Sequence, residues 1–252
     1  MVRLHVVECL SFFFLLALGL PVAQATSSHN HLDVSRLLLL NPSNLQFNHE
    51  NGNAGQRSRI PLSTREHWMR RANAALAELS SPCPFAAFAT VIVNHTDTDS
   101  LGEAVCVGVN SGSSLGNPTL HGEIATIDRC SETLQSPPYS LTPAETLRAF
   151  RDFTLYTNGE PCPMCASAIR WAGFRECVFG TSIETLIRLG WNQIDVRSSE
   201  IFSRSSRLPT ETTLISDVLA AETDPFFSWQ FDSDFPCPEG CIRGESGRCV
   251  PV

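Results

Sequence analysis

Lysine is missing from this 252-residue chain. All 18 formal cations other than histidine are arginine, they face 26 acidic residues, and the net charge is -8. A protein that holds duplex DNA or folded RNA presents a basic face to the phosphates. No basic cluster occurs in the sequence, so a large nucleic acid is a poor candidate partner and small ligands fit better. Internal repeats are missing too. After residue 25 no apolar run reaches the roughly 20 residues that a spanning helix needs. The length suits one domain with extensions.

The first 25 residues stand apart. Arg3 and His5 precede a mostly apolar run, Leu10 to Leu20, followed by Ala23-Gln24-Ala25, the pattern of a secretory signal peptide over residues 1–25. The run is shorter than a membrane anchor requires. The expected mature product is therefore secreted, with no membrane attachment after cleavage. Secretion changes how cysteine is read, because disulfides persist in oxidising compartments. Nine of the ten cysteines remain once Cys9 leaves with the signal. Cys237, Cys241 and Cys249 lie in a Cys-rich tail, residues 236–252, with little else to build a core, and are disulfide candidates whose connectivity the sequence does not fix. Cys83, Cys106, Cys130 and Cys177 fall in or beside strands and helices, where buried thiols and disulfides are both ordinary. With the three tail residues they make an odd number, so at least one thiol stays free or pairs between chains. Asn94-His95-Thr96 is a glycosylation sequon, which allows one glycan at Asn94.

Residues 26–62 are a polar N-terminal extension around the apolar patch Leu37 to Leu40, and His29 and His31 read as part of an exposed tail. The folded domain is expected over residues 63–235. Ser63 and Glu66 have the spacing of a capping box ahead of Trp68, Met69, Ala72, Ala75, Leu76 and Leu79 at helical spacing. Phe85 to Val93 and Gly102 to Asn110 read as strands. Pro118 is expected to open a helix carrying Ile124, Ile127 and Leu134. Phe153 to Thr157 is a third strand, Cys162 to Trp171 a helix, and Glu176 to Gly180 a fourth strand. Strands alternating with helices predict a sheet with helices on its faces, parallel in this half. Trp171 and Trp191 read as core or pocket wall, and Phe226, Phe227, Trp229 and Phe231 as aromatics packed over the sheet.

Cys162 and Cys165 stand three apart at a helix start, so their side chains share a face. A helix N-terminus and a bound cation both favour thiolate over thiol. His121 and Glu123 are two apart, which at a helix N-terminus lets both converge ahead of the first turn. His121, Cys162 and Cys165 then supply three zinc ligands, with the fourth position kept for a water or hydroxide. Glu123 is the proton carrier. An oxidised C-x-x-C pair or a closed structural zinc would use the same cysteines, but neither explains His121-x-Glu123.

His121-Gly122-Glu123 followed by Pro161-Cys162-Pro163-Met164-Cys165 resembles the H-x-E and P-C-x-x-C signature of the zinc-dependent cytidine/deoxycytidylate deaminase superfamily. "REHWMRRA", "PFAAFATVIVN", "NPTLHGE" and "EPCPMCASAIRWAG" look like segments of its guanine deaminase and tRNA adenosine deaminase branch, over about residues 63 to 200. The resemblance implies an α/β fold, a three-layer αβα sandwich around a mixed five-stranded sheet, one zinc ion per chain held by His121, Cys162 and Cys165, and Glu123 as general acid and base. It places Asn110 where the family hydrogen-bonds the substrate base, with Gly122 and Pro161 beside it, and it makes a homodimer an expectation. Leu120 and Gly122 depart from the family's alanines, and Gly122 is expected to give a roomier or looser site.

The function expected is hydrolytic release of ammonia from a free nucleobase or nucleoside, guanine or another purine first. A cytosine-type or other aminated heterocycle is the alternative substrate. A non-catalytic secreted zinc-binding effector on the same fold is the alternative class, against which the retention of Glu123 speaks.

Overall fold

The computed structural model describes residues 60–79, 81–96 and 101–252. The expected signal peptide, and the extension up to residue 59 with His29, His31 and the Leu37 to Leu40 patch, lie outside the described residues.

Helix α1 (Leu62–Ala77) is followed by strands β1 (Ala89–Asn94) and β2 (Glu103–Val109), a one-turn helix α2 (Gly112–Leu115), helices α3 (Gly122–Gln135) and α4 (Pro143–Ala149), and strand β3 (Phe153–Gly159). Helix α5 (Pro163–Ala172), strand β4 (Glu176–Thr181), helices α6 (Ile183–Arg188) and α7 (Ser198–Arg204) and strand β5 (Thr213–Ile215) complete the sheet region. The sheet order is β2-β1-β3-β4-β5. β1 is antiparallel to both β2 and β3, whereas β3, β4 and β5 run parallel. The sheet is therefore mixed and five-stranded, as the resemblance implies.

Strand side chains alternate between faces, and each face buries its own core. Val91, Val93, Tyr156 and Val178 pack against Trp68, Met69 and Ala72 of α1. On the opposite face Ile92, Leu155 and Cys177 pack with Cys130 and Leu134 of α3 and Ile169 of α5. Helices on both faces make the three layers.

Three element boundaries differ from the sequence reading. Helix α1 starts at Leu62 with Pro61 as its N-cap, and Ser63 lies inside the first turn without capping it. The Pro61 carbonyl accepts from Arg65 N–H at 3.1 Å, so the first helical bond forms two residues ahead of the one a Ser63 cap would start. Pro118 does not open α3. Asn117 Oδ1 accepts from both the N–H and the hydroxyl of Thr119, a side-chain-closed turn that delays the helix to Gly122. β1 begins at Ala89 rather than Phe85, because the Asn158 amide takes the place of a strand partner there. Its Oδ1 accepts from Ala89 N–H and its Nδ2 donates to the Ala87 carbonyl, each at 2.9 Å. The chain from 81 to 88 is thereby released from the sheet.

The tail forms a small hairpin, β6 (Cys241–Arg243) with β7 (Cys249–Pro251). Disulfides join Cys237 to Cys249, Cys83 to Cys241 and Cys106 to Cys130. Of the seven described cysteines outside the P-C-x-x-C motif, Cys177 is left as a free, buried thiol.

Candidate metal centre and active site

Both ligand-bearing segments use the same local device. His121 is the N-cap of α3 and Cys162 the N-cap of α5, each in extended backbone conformation (φ -62°, ψ 163° and φ -60°, ψ 166°). Each carbonyl accepts the first helical bond, from Ala125 N–H and Ala166 N–H respectively. A side chain at such a position points ahead of the helix, into the field of its unsatisfied N–H groups. Pro163 follows Cys162 at the first helical position, where its fixed φ and missing N–H cost nothing.

The two helix starts bring His121, Cys162 and Cys165 together, one ligand atom from each lying within 4.8 Å of the others. His121 Nδ1 is 3.5 Å from Cys162 Sγ. Tetrahedral zinc with bonds of about 2.0–2.1 Å to nitrogen and about 2.3 Å to sulfur separates those atoms by about 3.6 Å. The donor set and the spacing fit zinc.

The electrostatics fit as well. The Cys165 thiol hydrogen-bonds to Cys162, and with His121 it holds the Cys162 thiol down to about 4. Cys165, 0% exposed, is pushed in the opposite direction by the Cys162 thiolate beside it, by burial and by Glu123. The His121 imidazole is raised by its hydrogen bond with Cys162. One of the two thiols ionises readily and the second resists, a charge deficit that a bound dication removes.

Glu123 sits at the second position of α3 and is 5% exposed. Burial first, and then the Cys162 thiolate, push its carboxyl from 4.5 up to about 7. A carboxyl held near neutrality beside these ligand atoms is suited to both taking and giving a proton.

The other sequence candidates take varied places. Asn110 is half-buried at the end of β2; its N–H donates to the Phe88 carbonyl at 2.9 Å and its Oδ1 accepts from Gly112 N–H at 3.1 Å, so its side chain closes a turn. Pro161 is buried directly before Cys162. Gly122 does not widen the site. A β-carbon there would lie 3.2 Å from the Phe88 carbonyl oxygen and 3.3 Å from Thr90 Oγ1, so the missing atom lets α3 approach β1. Asn94 is 6% exposed at the far end of β1, with Oδ1 accepting from Thr96 N–H. Trp171 is not core: it is 76% exposed on α5, whereas Trp191 is buried with its N–H on the Phe227 carbonyl.

Glu160 is a residue that periodicity and spacing did not single out. It is 6% exposed. One carboxylate oxygen accepts from Ile183 N–H at 2.8 Å, the other from the N–H and hydroxyl of Ser198 at 2.9 and 2.7 Å. These are the first residues of α6 and α7, so one side chain caps two helices and anchors the segment entering Cys162. Its signal in the sequence is an acid directly before Pro-Cys, visible only through the quoted E-P-C resemblance.

A His-Cys-Cys trio with an unligated glutamate two residues after the histidine is the arrangement of the zinc deaminases. Residues 62–181, somewhat under half of the chain, match the model of the family described as cytidine and deoxycytidylate deaminase zinc-binding region. That segment runs from α1 to the end of β4 and holds all four site residues, so the site lies wholly within the stretch that is similar to that family. Among curated proteins, the chain is 51% identical over 45 residues to a probable cytosine deaminase of Schizosaccharomyces pombe (strain 972 / ATCC 24843), a stretch covering 18% of this chain and 28% of that protein. It is 26% identical over 131 residues to the guanine deaminase of Bacillus subtilis (strain 168), covering 51% of this chain and 74% of that one. Among solved structures, a guanine deaminase from Nitrosomonas europaea aligns with TM-score 0.45 and 17% identity, over 66% of this chain and 80% of that one. A structure from work on tRNA:A34 deaminases aligns with TM-score 0.45 and 23% identity, over 64% and 98%.

Proposed function

We propose that this protein is a secreted zinc-dependent hydrolase that releases ammonia from a free nucleobase or nucleoside, with guanine or another purine as first substrate. The observation that carries the reading is the buried Glu123 carboxyl beside the His121, Cys162 and Cys165 donor set.

His121, Cys162 and Cys165 would hold the metal. When bound, zinc supplies a Lewis acid that brings the attacking water within reach of deprotonation near neutral pH. Glu123 accepts the proton of that water, passes it to the ring nitrogen next to the amino-bearing carbon, and delivers a second proton to the departing amine. Water adds to that carbon, the C–N bond breaks, and the products are ammonia and the carbonyl form of the ring.

The similarity to the guanine deaminase of B. subtilis supports a purine. The short but stronger similarity to a cytosine deaminase favours keeping a cytosine-type ring as the second reading. Export is supported by the signal-like first 25 residues and by three disulfides among the described residues, which fit an oxidising compartment.

The test is ammonia release by the zinc-loaded protein from guanine, adenine, cytosine and their nucleosides, with Glu123→Gln as control. Removing a general acid and base is expected to lower turnover by about 10²–10⁴-fold while zinc content stays unchanged. Equal turnover in the Glu123→Gln protein would remove Glu123 from the mechanism, and no release from any compound would favour the zinc-binding effector.

A further inference from the structure

The tail beyond the family-like region does not pack on the sheet but on the loop 81–88. Cys241 is bonded to Cys83. Arg248 lies over the Phe85 ring, 4.8 Å from its centroid, and Phe85 meets Trp229 edge-on at 6.1 Å. Gln230 Nε2 donates to the carbonyls of Phe85 and Phe226 at 3.1 and 2.7 Å. The tail is itself held in shape by one guanidinium: Arg243 donates to the carbonyls of Trp229, Asp232, Phe235 and Gly247.

The other end of the same loop touches the candidate active site. The Phe88 carbonyl accepts from Asn110 N–H and lies against Gly122, between the ligand His121 and Glu123. The Phe88 ring occupies the space a β-carbon on Gly159 would need, at 2.9 Å, three residues before Cys162. Phe227, 4.7 Å away, and Trp191, 5.3 Å away, back the ring. Among the described residues between the end of α1 and Ala89 there is no helix or strand. The 85–88 end of the loop is held by the Asn158 amide, by the Phe88–Asn110 bond and by packing with Ala75, Leu76, Trp191 and Phe227, whereas Cys83 is bonded to the tail.

We propose that the disulfide-pinned hairpin β6–β7 is a positioning clamp for the substrate site. It fixes loop 81–88 through Cys83–Cys241 and Arg248, and so fixes Phe88 against the segments that carry Asn110, Glu123 and Cys162. Release of the clamp weakens substrate binding and leaves the metal ligands in place. The nucleobase as occupant rests on the function proposed above; the mechanical coupling does not.

The experiment uses the full-length, zinc-loaded protein and its Cys83→Ser/Cys241→Ser variant. Three quantities are read: zinc content, KM and kcat for guanine, and hydrogen exchange of peptides covering 85–88, 91–93 and 241–252. A displaced wall is expected to raise KM about ten-fold with kcat changed less than about three-fold. Zinc content is unchanged, and exchange is faster at both 241–252 and 85–88 but not at 91–93. Faster exchange confined to 241–252, or an unchanged KM, overturns the clamp. If the wild type turns over neither guanine nor any other compound in the panel, the function proposal fails, and the exchange pattern alone decides the clamp. Arg248→Gln keeps both tail disulfides and serves should the double variant not fold. The same pattern at smaller amplitude is expected from it, and wild-type exchange at 85–88 would again overturn the proposal.

Discussion

Replacing Glu160 tests how the cysteine half of the site is held. Glu160→Ala removes the acceptor of three hydrogen bonds, from Ile183 N–H and from the N–H and hydroxyl of Ser198. Charge-assisted bonds contribute about 1.5–3 kcal/mol each. They are not additive, and the variant recovers the cost of burying a carboxylate. Leaving buried donors unpartnered therefore sets the net loss at about 3–5 kcal/mol, as for other broken buried charge contacts. For a domain of this size about 1 kcal/mol moves the melting temperature by 2–4 °C, so Glu160→Ala is expected to melt about 10 °C lower. Glu160→Gln keeps one acceptor oxygen and turns an amide N–H₂ towards the other helix start, and about half of that loss follows. Because the capped helices steady the entry to Cys162, zinc affinity falls by about ten-fold or more in both variants, read by competition with a chromophoric chelator. Thermal melting followed by circular dichroism is the primary assay. A Glu160→Ala protein that melts within about 2 °C of wild type would refute the reasoning, because Glu160 would then contribute no net capping.

Three further substitutions probe the frame around the site. His95 is 5% exposed, its Nε2 is 3.0 Å from the Tyr156 hydroxyl, and burial, with Arg175 and Arg65 nearby, lowers its imidazole from 6.5 to about 4. The unfolded chain binds a proton near pH 6.5 and the folded one only near pH 4, so stability is fully present above pH 6.5 and falls as pH drops towards 4. The loss reaches about 3 kcal/mol, and urea titrations across that window should show it flattened in His95→Gln; an unchanged slope would place the acid sensitivity elsewhere. Thr157 and Asn158 are neighbours with opposite expectations. Thr157 Oγ1 is buried with no partner among the described residues, so Thr157→Val is expected to be neutral or to stabilise by up to about 1 kcal/mol. Asn158→Ala loses both amide bonds to the start of β1 and is expected to destabilise by about 2–4 kcal/mol. Denaturant midpoints for the pair check the contrast, and a destabilising Thr157→Val would mean that the hydroxyl is satisfied.

What the sequence made legible were features whose causes lie within a few residues. Cys162, Pro163 and Cys165 fit the start of a helix by spacing alone, and His121 and Glu123 are separated by a single residue. The three central strands, β1, β3 and β4, show as apolar runs because they are buried. β5 was not found as a strand: it has three residues, and none of them is fully buried. The start of α3 was misplaced because the side chain of Asn117 overrode the usual preference of proline for a first helical turn. Glu160 and the pairing of the disulfides escaped for one reason. Glu160 acts on backbone groups 23 and 38 positions further on, and Cys83 finds its partner 158 positions away. A resemblance carried the pattern of the first, and nothing local carries the second. Gly122 was misjudged because its neighbour in space is the carbonyl of Phe88, 34 positions earlier.

The sheet is divided by its strand directions, and the site joins the two parts. His121 and Glu123 follow the antiparallel part, β1 and β2, while Cys162 and Cys165 follow β3 and belong to the parallel part. Each ligand-bearing helix has a tie of its own that does not pass through the metal. Cys106–Cys130 fastens α3 to β2, and Glu160 fastens the entry of α5 to α6 and α7. A site assembled in this way pays little ordering cost when the metal arrives, unlike small domains in which metal binding and folding are one event. Binding free energy is then available for holding three ligands in a fixed arrangement, with Glu123 buried against them at the start of the same helix as His121. That arrangement, rather than a metal-built fold, is what proton transfer at a positioned carboxyl requires.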